Sequence, residues 1–594
     1  MDVPRGFANR VTRPTSAGLL RLSLVGVLFV ASLPAGVLAS GGGTPATDGS
    51  LPVGPLSAGG QLAVNWALTG TATADSFPGN ASNAISGDAS NPWCADWSPW
   101  PSHLTVDLGR TQQLDGVGIT VDNASNGTPT SARASISLAT QAGQWQPVSV
   151  AQSIALDAGS PIYIPFRSGF TVPARYAQLT VYSSGANPVC IGQFRLFGHV
   201  PANMALGHDV SFASNELAAG NKFTDSGLSR NPISILASHG ANWARLRLWV
   251  NPPAGYSDLN TDLSIARMIR AAGMKLYLDI HYSDFWADPG KQCIPAGWPT
   301  TLSGLTSQVQ SYTRNVIAAF AAQGTPVDMV SIGNEVTEGM LWSYDSASAG
   351  DWQNFTCANS ASSVGGLHWS TDTSATGWDS FTQLLKAGVA GAKAGNPGHH
   401  SLQIVIHTDL GGGLTPFGHD DTARSQYFYS QIQAAGVPFD VIGVSYYPIY
   451  QGSLSGMRKT VNNLATLFNK PIVLGETQYP WTLADGNNLG NSVWQQSQLV
   501  NGYPDSAGGQ LSIANDELSI LAAVPNGLGM GDFYWEPEWI PGVPWAPGAS
   551  GGPTTNQTLF DFQGRTLPSI GIYQDPVKVC MAYSPLSVPC VIGR

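Results

Sequence analysis

The chain has 594 residues, of which only 11% are charged, and its formal net charge is -11 at pH 7. This length predicts two or three domains. Nucleic-acid binding needs a basic face, so we expect no nucleic-acid partner for so acidic a chain. The low charged fraction, with 68 glycines and 18 tryptophans, is more typical of an exported carbohydrate-active protein than of a cytosolic one.

Residues 1–39 have the pattern of a signal peptide. Arginines precede a mostly apolar run at 22–33, and small residues at 37–39 offer a cleavage site before Ser40. The run is short for a membrane span, so we expect a secreted protein, extracellular or periplasmic, without stable membrane insertion. An uncleaved anchor is the alternative.

Six cysteines in an exported chain predict three disulfides. We expect each pair to stay local in the sequence: Cys94 with Cys190, Cys293 with Cys357, and Cys580 with Cys590.

Residues 40–61 are rich in Gly, Ser, Pro and Ala, which is typical of a flexible linker. Residues 62–200 then show short alternating segments broken by Gly, Pro, Asn and Ser, without helical periodicity. Strands at this spacing predict an all-β sandwich of the jelly-roll type.

Three motifs of the predicted sandwich, at 83–88, 104–109 and 191–198, resemble those of discoidin-like modules (factor 5/8 type C, galactose-binding-like). The resemblance implies a carbohydrate-binding module but does not indicate its ligand. The group Trp93, Trp97 and Trp100 could form a sugar-stacking surface. The alternative is that these tryptophans face the core or the linker.

In residues 204–594 short apolar strands alternate with helical stretches, which predicts a (β/α)8 TIM barrel. The chain is therefore expected to be multidomain, with an N-terminal sandwich followed by a barrel. Eight barrel strands are predicted, near 206–211, 243–250, 275–281, 328–333, 402–408, 441–446, 472–475 and 529–535.

Two of these strands end in a glutamate. Glu335 lies in Gly-Asn-Glu after the strand at 328–333, and Glu476 lies in Gly-Glu after the strand at 472–475. Catalytic side chains of barrel enzymes are mounted at these strand ends. Retaining glycoside hydrolysis needs two carboxyls about 5 Å apart, one as acid and base and one as nucleophile. Either glutamate alone could instead be solvated or salt-bridged.

The remaining strand ends are rich in polar and aromatic residues, notably at 207–211, 245–252, 278–290, 442–448 and 531–539. Together with the two glutamates they resemble glycoside hydrolase family 53, the arabinogalactan endo-β-1,4-galactanases. The resemblance implies a TIM barrel and a retaining mechanism that acts on β-1,4-galactan or arabinogalactan. The family's acid/base position falls on Glu335 and its nucleophile on Glu476.

Neighbouring residues have predicted roles around these carboxyls. Asn334 could hydrogen-bond the sugar 2-hydroxyl. Arg247 and Tyr446 are candidates to keep Glu476 ionised, since a cation and a phenol donor favour a carboxylate. Arg245 and Arg247 share a strand face, and one of them could instead be a barrel-filling ion pair. Further substrate-binding candidates are Asp209, His281, Trp286, Trp298 and Trp535.

Asp485, Asn487 and Asn491 place oxygen ligands at alternate positions of one loop, which suits a structural calcium ion. A plain Asn/Gly turn is the alternative. We expect catalysis to require no cofactor.

These observations favour an exported, monomeric, endo-acting retaining galactanase that cleaves galactan side chains of pectin. The first alternative is another retaining barrel endoglycanase, a mannanase or a xylanase, using the same two glutamates. The second alternative is a non-catalytic carbohydrate-binding protein.

Overall fold

The computed structural model of the protein covers most of the two predicted domains. It describes residues 61–95, 101–121, 132–148, 152–154, 161–166, 171–183, 188–201, 204–343, 352, 355–371, 374–398, 401–549, 551–583 and 590–591. The predicted signal peptide and the predicted linker up to residue 60 lie outside these residues.

The N-terminal domain is the predicted β-sandwich. Its longest strand alternates because Leu104, Val106 and Leu108 are buried while the residues between them are partly exposed. The main path of the sheet runs β1-β10-β4-β9-β5-β6 with antiparallel pairing. The strands are β1 (Gln61–Asn65), β2 (Thr71–Ala74), β3 (Trp93–Ala95), β4 (Ser102–Val121), β5 (Ala132–Ala139), β6 (Gln146–Pro147), β7 (Gln152–Ile154), β8 (Ile162–Pro165), β9 (Val172–Ser183) and β10 (Val189–Pro201).

Trp93 belongs to the core of this sandwich. It is fully buried, and its Nε1 donates a 2.7 Å hydrogen bond to the carbonyl of Ser76. It therefore presents no face for stacking on a sugar, while Trp97 and Trp100 lie outside the described residues.

The C-terminal domain is a closed barrel of eight parallel strands, which confirms the predicted fold. The barrel strands in order are β11, β14, β15, β16, β19, β20, β21 and β22, and short hairpins leave the barrel at β12–β13 and β17–β18. Their bounds, with that of the last strand, are β11 (Ala205–Asp209), β12 (Phe223–Asp225), β13 (Leu228–Arg230), β14 (Trp243–Leu248), β15 (Lys275–Ile280), β16 (Met329–Ile332), β17 (His368–Thr371), β18 (Ser374–Thr376), β19 (Gln403–Thr408), β20 (Val441–Tyr446), β21 (Ile472–Thr477), β22 (Gly529–Tyr534) and β23 (Cys590–Val591).

Helices cover the outside of the barrel. In the helix over 259–271, Ile265, Ala266 and Ile269 recur at helical spacing and are buried, and Asp258 caps its first turn by accepting from two backbone N–H groups. The helices are α1 (Ala213–Ala218), α2 (Pro232–Ser238), α3 (Leu259–Ala271), α4 (Leu302–Ala322), α5 (Trp378–Gly395), α6 (Asp421–Ala434), α7 (Pro448–Gln451), α8 (Leu454–Phe468), α9 (Ala507–Ala522) and α10 (Pro576–Tyr583).

A layer of apolar side chains, one from each strand, fills the interior of the barrel. It consists of Ala205, Trp243, Tyr277, Met329, Val405, Val441, Val473 and Phe533. Because this layer is packed, ligands can reach only the strand ends beyond it. The polar residues at the C-terminal ends of the strands are thereby collected on one face.

The sandwich and the barrel share a buried interface. Strand β1 lies against α9, and Leu62 and Val64 join the same apolar cluster as the barrel helices. Arg195 of the sandwich donates to both carboxylate oxygens of Asp516 on α9, at 2.7 and 2.5 Å, and both side chains are buried. The two domains are thus joined by apolar packing and by an ion pair.

The end of the chain returns to the sandwich. Strand β23 pairs with β8, so residues 590–591 extend the N-terminal sheet, although the sequence analysis placed all of 204–594 in the barrel domain. The three disulfides join the pairs expected from the sequence, Cys94–Cys190, Cys293–Cys357 and Cys580–Cys590.

Within the described ranges, the helices are all too short or too polar to cross a membrane.

Candidate active site

Glu335 and Glu476 lie at the C-terminal face of the barrel. Glu335 follows β16 in a left-handed backbone conformation (φ 45°), a turn begun by Gly333 (φ 87°), and its side chain is nearly buried. A left-handed non-glycine residue is unfavourable and is typical of functional sites. Glu476 lies within the last residues of β21 and is also buried.

The two carboxyls differ in their neighbours. Arg245 Nη2 donates to Glu476 Oε1 at 2.8 Å, and the Tyr447 hydroxyl donates to Oε2 at 2.8 Å. Burial raises the pKa of Glu476, and Arg245 and Tyr447 oppose that rise. Burial, followed by the charges of Glu476 and Asp409, raises the pKa of Glu335 well above its usual range. Glu476 is therefore the carboxyl that ionises first.

Arg245, and not Arg247, is the cation beside Glu476. Its guanidinium also donates to Asp209 and Asp279, both at 2.5 Å. Arg247 donates instead to Glu536 Oε1 at 2.9 Å. The prediction that Arg247 contacts Glu476 is therefore wrong. Arg245 and Arg247 lie on one face of β14 but at different depths in the barrel, and the alternation of side chains along a strand predicts the face and not the depth.

Tyr447, and not Tyr446, is the phenol beside Glu476. The hydroxyl of Tyr446 donates to the carbonyl of Gly452 at 2.8 Å. Tyr447 follows the last residue of β20. The pairing of β20 with β21 shifts register between Val444 and Ser445. This β-bulge changes the direction of the side chains that follow it. The prediction of Tyr446 is therefore wrong by one residue.

Asn334 has a fixed amide orientation. Its Nδ2 donates to the carbonyl of Ala287 at 2.8 Å, and its Oδ1 accepts from Arg245 at 3.0 Å. His407 Nδ1 lies 3.0 Å from the same oxygen. The sequence analysis missed His407, whose signal is a polar residue near the C-terminal end of the apolar strand β19.

Asp209 is the last residue of β11 and His281 directly follows β15, and both side chains are buried. Asp209 is fully buried and pairs with Arg245, as described above. His281 Nδ1 accepts from Trp249 Nε1 at 3.3 Å and from the Ala287 backbone N–H at 3.2 Å. Both residues support their neighbours in the site.

An aromatic group lies beside the carboxyls. The backbone N–H of Trp535 donates to the carbonyl of Thr477 at 2.9 Å, next to Glu476. The half-buried Trp286 lies 6.1 Å from the Trp535 ring and 4.3 Å from the Arg247 guanidinium. Aromatic rings of this kind pack on the apolar faces of sugars.

Trp298 lies away from this aromatic group. Its half-buried ring packs on Tyr312 of α4 at 5.4 Å and on Tyr282 at 6.4 Å. These contacts show that Trp298 packs against α4, and its role as a substrate-binding residue stays a prediction.

In the predicted calcium loop, backbone N–H groups of the loop donate hydrogen bonds to the side chain of Asp485. Asp485 Oδ1 accepts from the N–H groups of Asn487 and Asn488, and Oδ2 accepts from that of Gly490. These amide hydrogens point at the oxygens that a cation would need. The Asn491 amide nitrogen donates to the carbonyl of Ala484 at 3.0 Å. These hydrogen bonds are those of the Asn/Gly turn alternative, which needs no ion to hold the loop closed.

Family models match both domains. The model of "Glycosyl hydrolase family 53" matches residues 205–573, and that of "F5/8 type C domain" matches residues 69–191. The first match covers more than half of the chain.

Two relatives and one solved structure are similar to this chain over the barrel domain. An arabinogalactan endo-beta-1,4-galactanase of Humicola insolens is 31% identical over 376 residues, 62% of this chain and 98% of the relative. An uncharacterized protein of Niallia circulans is 36% identical over 367 residues, 61% of this chain and 92% of the relative. The solved Ignisphaera aggregans GH53 catalytic domain is 32% identical with a TM-score of 0.54, covering 64% of this chain and 97% of that chain.

Proposed function

Because the chain belongs to glycosyl hydrolase family 53, we propose that it is an exported, endo-acting, retaining galactanase of pectin side chains. It cleaves β-1,4-galactosidic linkages with Glu335 as acid/base and Glu476 as nucleophile. The choice of substrate is supported by relatives that are named arabinogalactan endo-beta-1,4-galactanase.

The observation that carries this proposal is the asymmetry of the two carboxyls. Arg245 and Tyr447 donate to Glu476 and favour its charged form, which a nucleophile needs. Burial and neighbouring negative charge favour the protonated form of Glu335, which a general acid needs. A pair of carboxyls whose environments push their pKa values apart is the arrangement expected of an acid and a nucleophile.

Each residue then has one task in each step. In glycosylation, an oxygen of Glu476 bonds to the anomeric carbon while the bond to the leaving oxygen breaks, and that oxygen takes the proton of Glu335. In deglycosylation, Glu335 takes a proton from water, the water oxygen bonds to the anomeric carbon, and Glu476 leaves. Two displacements return the β configuration to the product.

Asn334 and the aromatic group would hold the sugar. One amide hydrogen of Asn334 is bound by Ala287, and the other can be donated to the 2-hydroxyl of the sugar. Such a contact strengthens in the transition state. Trp535 and Trp286 would pack on the apolar faces of the galactosyl residues.

Export is supported by two features of the chain. The basic and apolar N-terminal segment has the order of a signal peptide. All six cysteines form disulfides, which persist in oxidising compartments.

The test is release of reducing ends from purified β-1,4-galactan, β-mannan and xylan. We expect hydrolysis of galactan with a rapid fall in viscosity, since an endo-acting enzyme cuts within the chain. Glu476→Ala provides the background rate. Faster hydrolysis of mannan or xylan would replace the proposed substrate, and equal rates for the wild type and Glu476→Ala would overturn the assignment of the nucleophile.

A further inference from the structure

One turn of the sandwich, residues 86–90 (the interface turn), packs on the barrel beside the loops that follow β20 and β21. Asp88 of this turn is buried, and its Oδ2 accepts from the hydroxyl of Ser455 at 3.0 Å. Arg458 donates to the backbone carbonyl of Ser86 at 3.2 Å. Both partners lie in the first half of α8, so the sandwich holds the start of this helix.

The carboxylate of Asp88 fixes the direction of the hydrogen bonds at the start of α8. A carboxylate only accepts, so the single hydrogen of the Ser455 hydroxyl goes to Asp88. The Ser453 hydroxyl lies 2.9 Å from that of Ser455 and must therefore donate to it. The oxygen of Ser453 is left to accept from the backbone N–H of Gly456 at 3.2 Å, which is the N-cap hydrogen bond of the helix. Asp88 thus orients the N-cap of α8 from across the domain interface.

A short segment connects this N-cap to the nucleophile. Only α7 and Gly452 separate Tyr447 from Ser453. The segment is closed on itself, because Gln451 Oε1 accepts from the backbone N–H of Tyr447 at 2.5 Å. The Tyr447 hydroxyl donates to Glu476 Oε2 at 2.8 Å. A displacement of the start of α8 is therefore passed on to the hydrogen bond at Glu476.

The interface turn also packs on the loop that follows β21. A Cβ atom at Gly502 would lie 2.4 Å from the Ala89 side chain, so this loop and the turn are in close contact. The carbonyl of the next residue, Tyr503, accepts from the Tyr479 hydroxyl at 2.6 Å. Tyr479 lies just beyond the end of β21, the strand that carries Glu476. The sandwich thus contacts both loops that lead to the nucleophile.

We propose that Asp88 is a positioning residue for the reaction: from the sandwich, it holds the loop between β20 and α8 where the Tyr447 hydroxyl reaches Glu476. The sandwich is then a part of the catalytic unit. Asp88 acts through Tyr447 and gains or loses no proton during turnover. The inference rests on the proposed role of Glu476 as nucleophile.

The sign of a pH shift distinguishes positioning from a direct effect of charge. Loss of the negative charge of Asp88 would by itself lower the pKa of Glu476, whereas loss of the hydrogen bond from Tyr447 raises it. The other titratable groups near the two carboxyls stay in place in every variant below. They are Arg245, Asp279, Asp209 and Glu335 for Glu476, and Arg458, Tyr446 and Tyr503 for Asp88.

The decisive variant is Asp88→Ala in the whole protein, measured as the pH profile of kcat/KM on galactan. The acidic limb of that profile reports the group of the free enzyme that must be ionised. We expect the limb to move to higher pH by roughly half a pH unit, which is the direction expected for loss of the Tyr447 hydroxyl. No movement, or movement to lower pH, overturns the inference.

A second variant addresses the same contact from the barrel. Ser455 is exposed, so Ser455→Ala should fold even if the buried Asp88→Ala does not. It removes the donor to Asp88 and should also move the acidic limb to higher pH. An acidic limb that stays in place in Ser455→Ala counts against the inference as well.

A double variant tests whether Asp88 acts through Tyr447. Once Tyr447→Phe has removed the hydroxyl, adding Asp88→Ala should move the acidic limb no further, because the two residues then share one route to Glu476. Shifts that add in the double variant overturn that route.

The matched control within the sandwich is Arg175→Met. It breaks an ion pair with Asp107 at 2.9 Å, which joins β9 to β4. We expect the pH profile of the wild type. A shifted acidic limb in this control would mean that any loosening of the sandwich moves the limb, and would overturn the assignment to Asp88.

The same profiles separate this inference from the proposed function. If Tyr447→Phe leaves the acidic limb in place, the limb does not report Glu476, and the assignment of the nucleophile fails together with the inference. If Tyr447→Phe moves the limb while Asp88→Ala and Ser455→Ala do not, only the role of Asp88 fails.

Discussion

Glu476 accepts hydrogen bonds from a guanidinium and a phenol, whereas Glu335 faces further carboxyls and the Ser445 hydroxyl. Both side chains are nearly buried, so burial alone gives them no different roles. Their neighbours therefore decide which of the two carboxyls ionises first. The predictions at the scale of single residues follow from this difference.

Glu335→Gln should lower kcat on galactan by roughly 100- to 10,000-fold, because the leaving oxygen loses its general acid. Binding of the polymer should survive, since the amide has the same shape. On an aryl galactobioside with an activated leaving group the glycosylation step should be spared, which a burst of released phenol would reveal. Equal losses on both substrates would contradict the acid/base role.

Tyr447→Phe should move the acidic limb of the kcat/KM profile to higher pH. Tyr447 lowers the pKa of Glu476 against the effect of burial, so its loss raises that pKa. Because the nucleophile must be ionised, activity is then lost at a higher pH. We expect kcat/KM at the optimum to fall about 10- to 100-fold.

The matched control is Tyr446→Phe, which removes a hydrogen bond to the carbonyl of Gly452. It should lower the stability by about 1 kcal/mol and leave the acidic limb in place. Similar shifts in both variants would mean that the limb does not report Glu476.

The strands of the barrel could be predicted because each is a short apolar run that ends in polar residues. The structure places all eight close to the predicted ranges. The depths of Arg245 and Arg247 in the barrel could not be predicted, since the alternation of side chains along a strand indicates which face a residue lies on and not its position along the barrel axis. The bulge between β20 and β21 has no local signal beyond Gly475, and it separates Tyr447 from the expected Tyr446.

The loop at Asp485 could not be predicted reliably from the sequence, because its residue pattern suits two different structures. Oxygen side chains at alternate positions suit a cation, but they equally suit Asx turns in which a carboxylate accepts from backbone N–H groups. The structure has the second arrangement. Which one forms depends on backbone conformation, which the spacing of residues does not specify.

Removal of metal should therefore leave the protein intact. After dialysis against EDTA, we expect the melting temperature and the activity on galactan to match those of the untreated protein. The control is readdition of calcium, which should change neither. A fall in melting temperature that calcium reverses would show that the loop rearranges around an ion.

At the scale of the whole molecule, the sandwich is packed into the barrel domain and not simply attached to it. Arg195 and Asp516 meet in a buried ion pair, and the last strand pairs with the sandwich sheet. The linker-like composition of 40–61 predicted a separable module. The interface could not be predicted from the sequence, because contacts between distant segments leave no pattern in either segment.

Arg195→Met should destabilise the protein by roughly 3–5 kcal/mol, since it leaves the Asp516 carboxylate buried without its cation. The measurement is thermal or urea unfolding, with kcat on galactan unchanged in the folded protein. The double variant Arg195→Met/Asp516→Leu removes both charges and should recover most of the loss. An unchanged melting temperature in the single variant would show that the interface contributes little to stability.

The central claim is that Glu476 attacks the anomeric carbon directly while Glu335 supplies the proton. The most direct measurement is proton NMR of the first product released from galactan, recorded before the anomers equilibrate. Two successive displacements retain configuration, so the account predicts that the β anomer appears first and the α anomer only by slow mutarotation. Initial appearance of the α anomer would show inversion and would contradict the role of Glu476 as nucleophile.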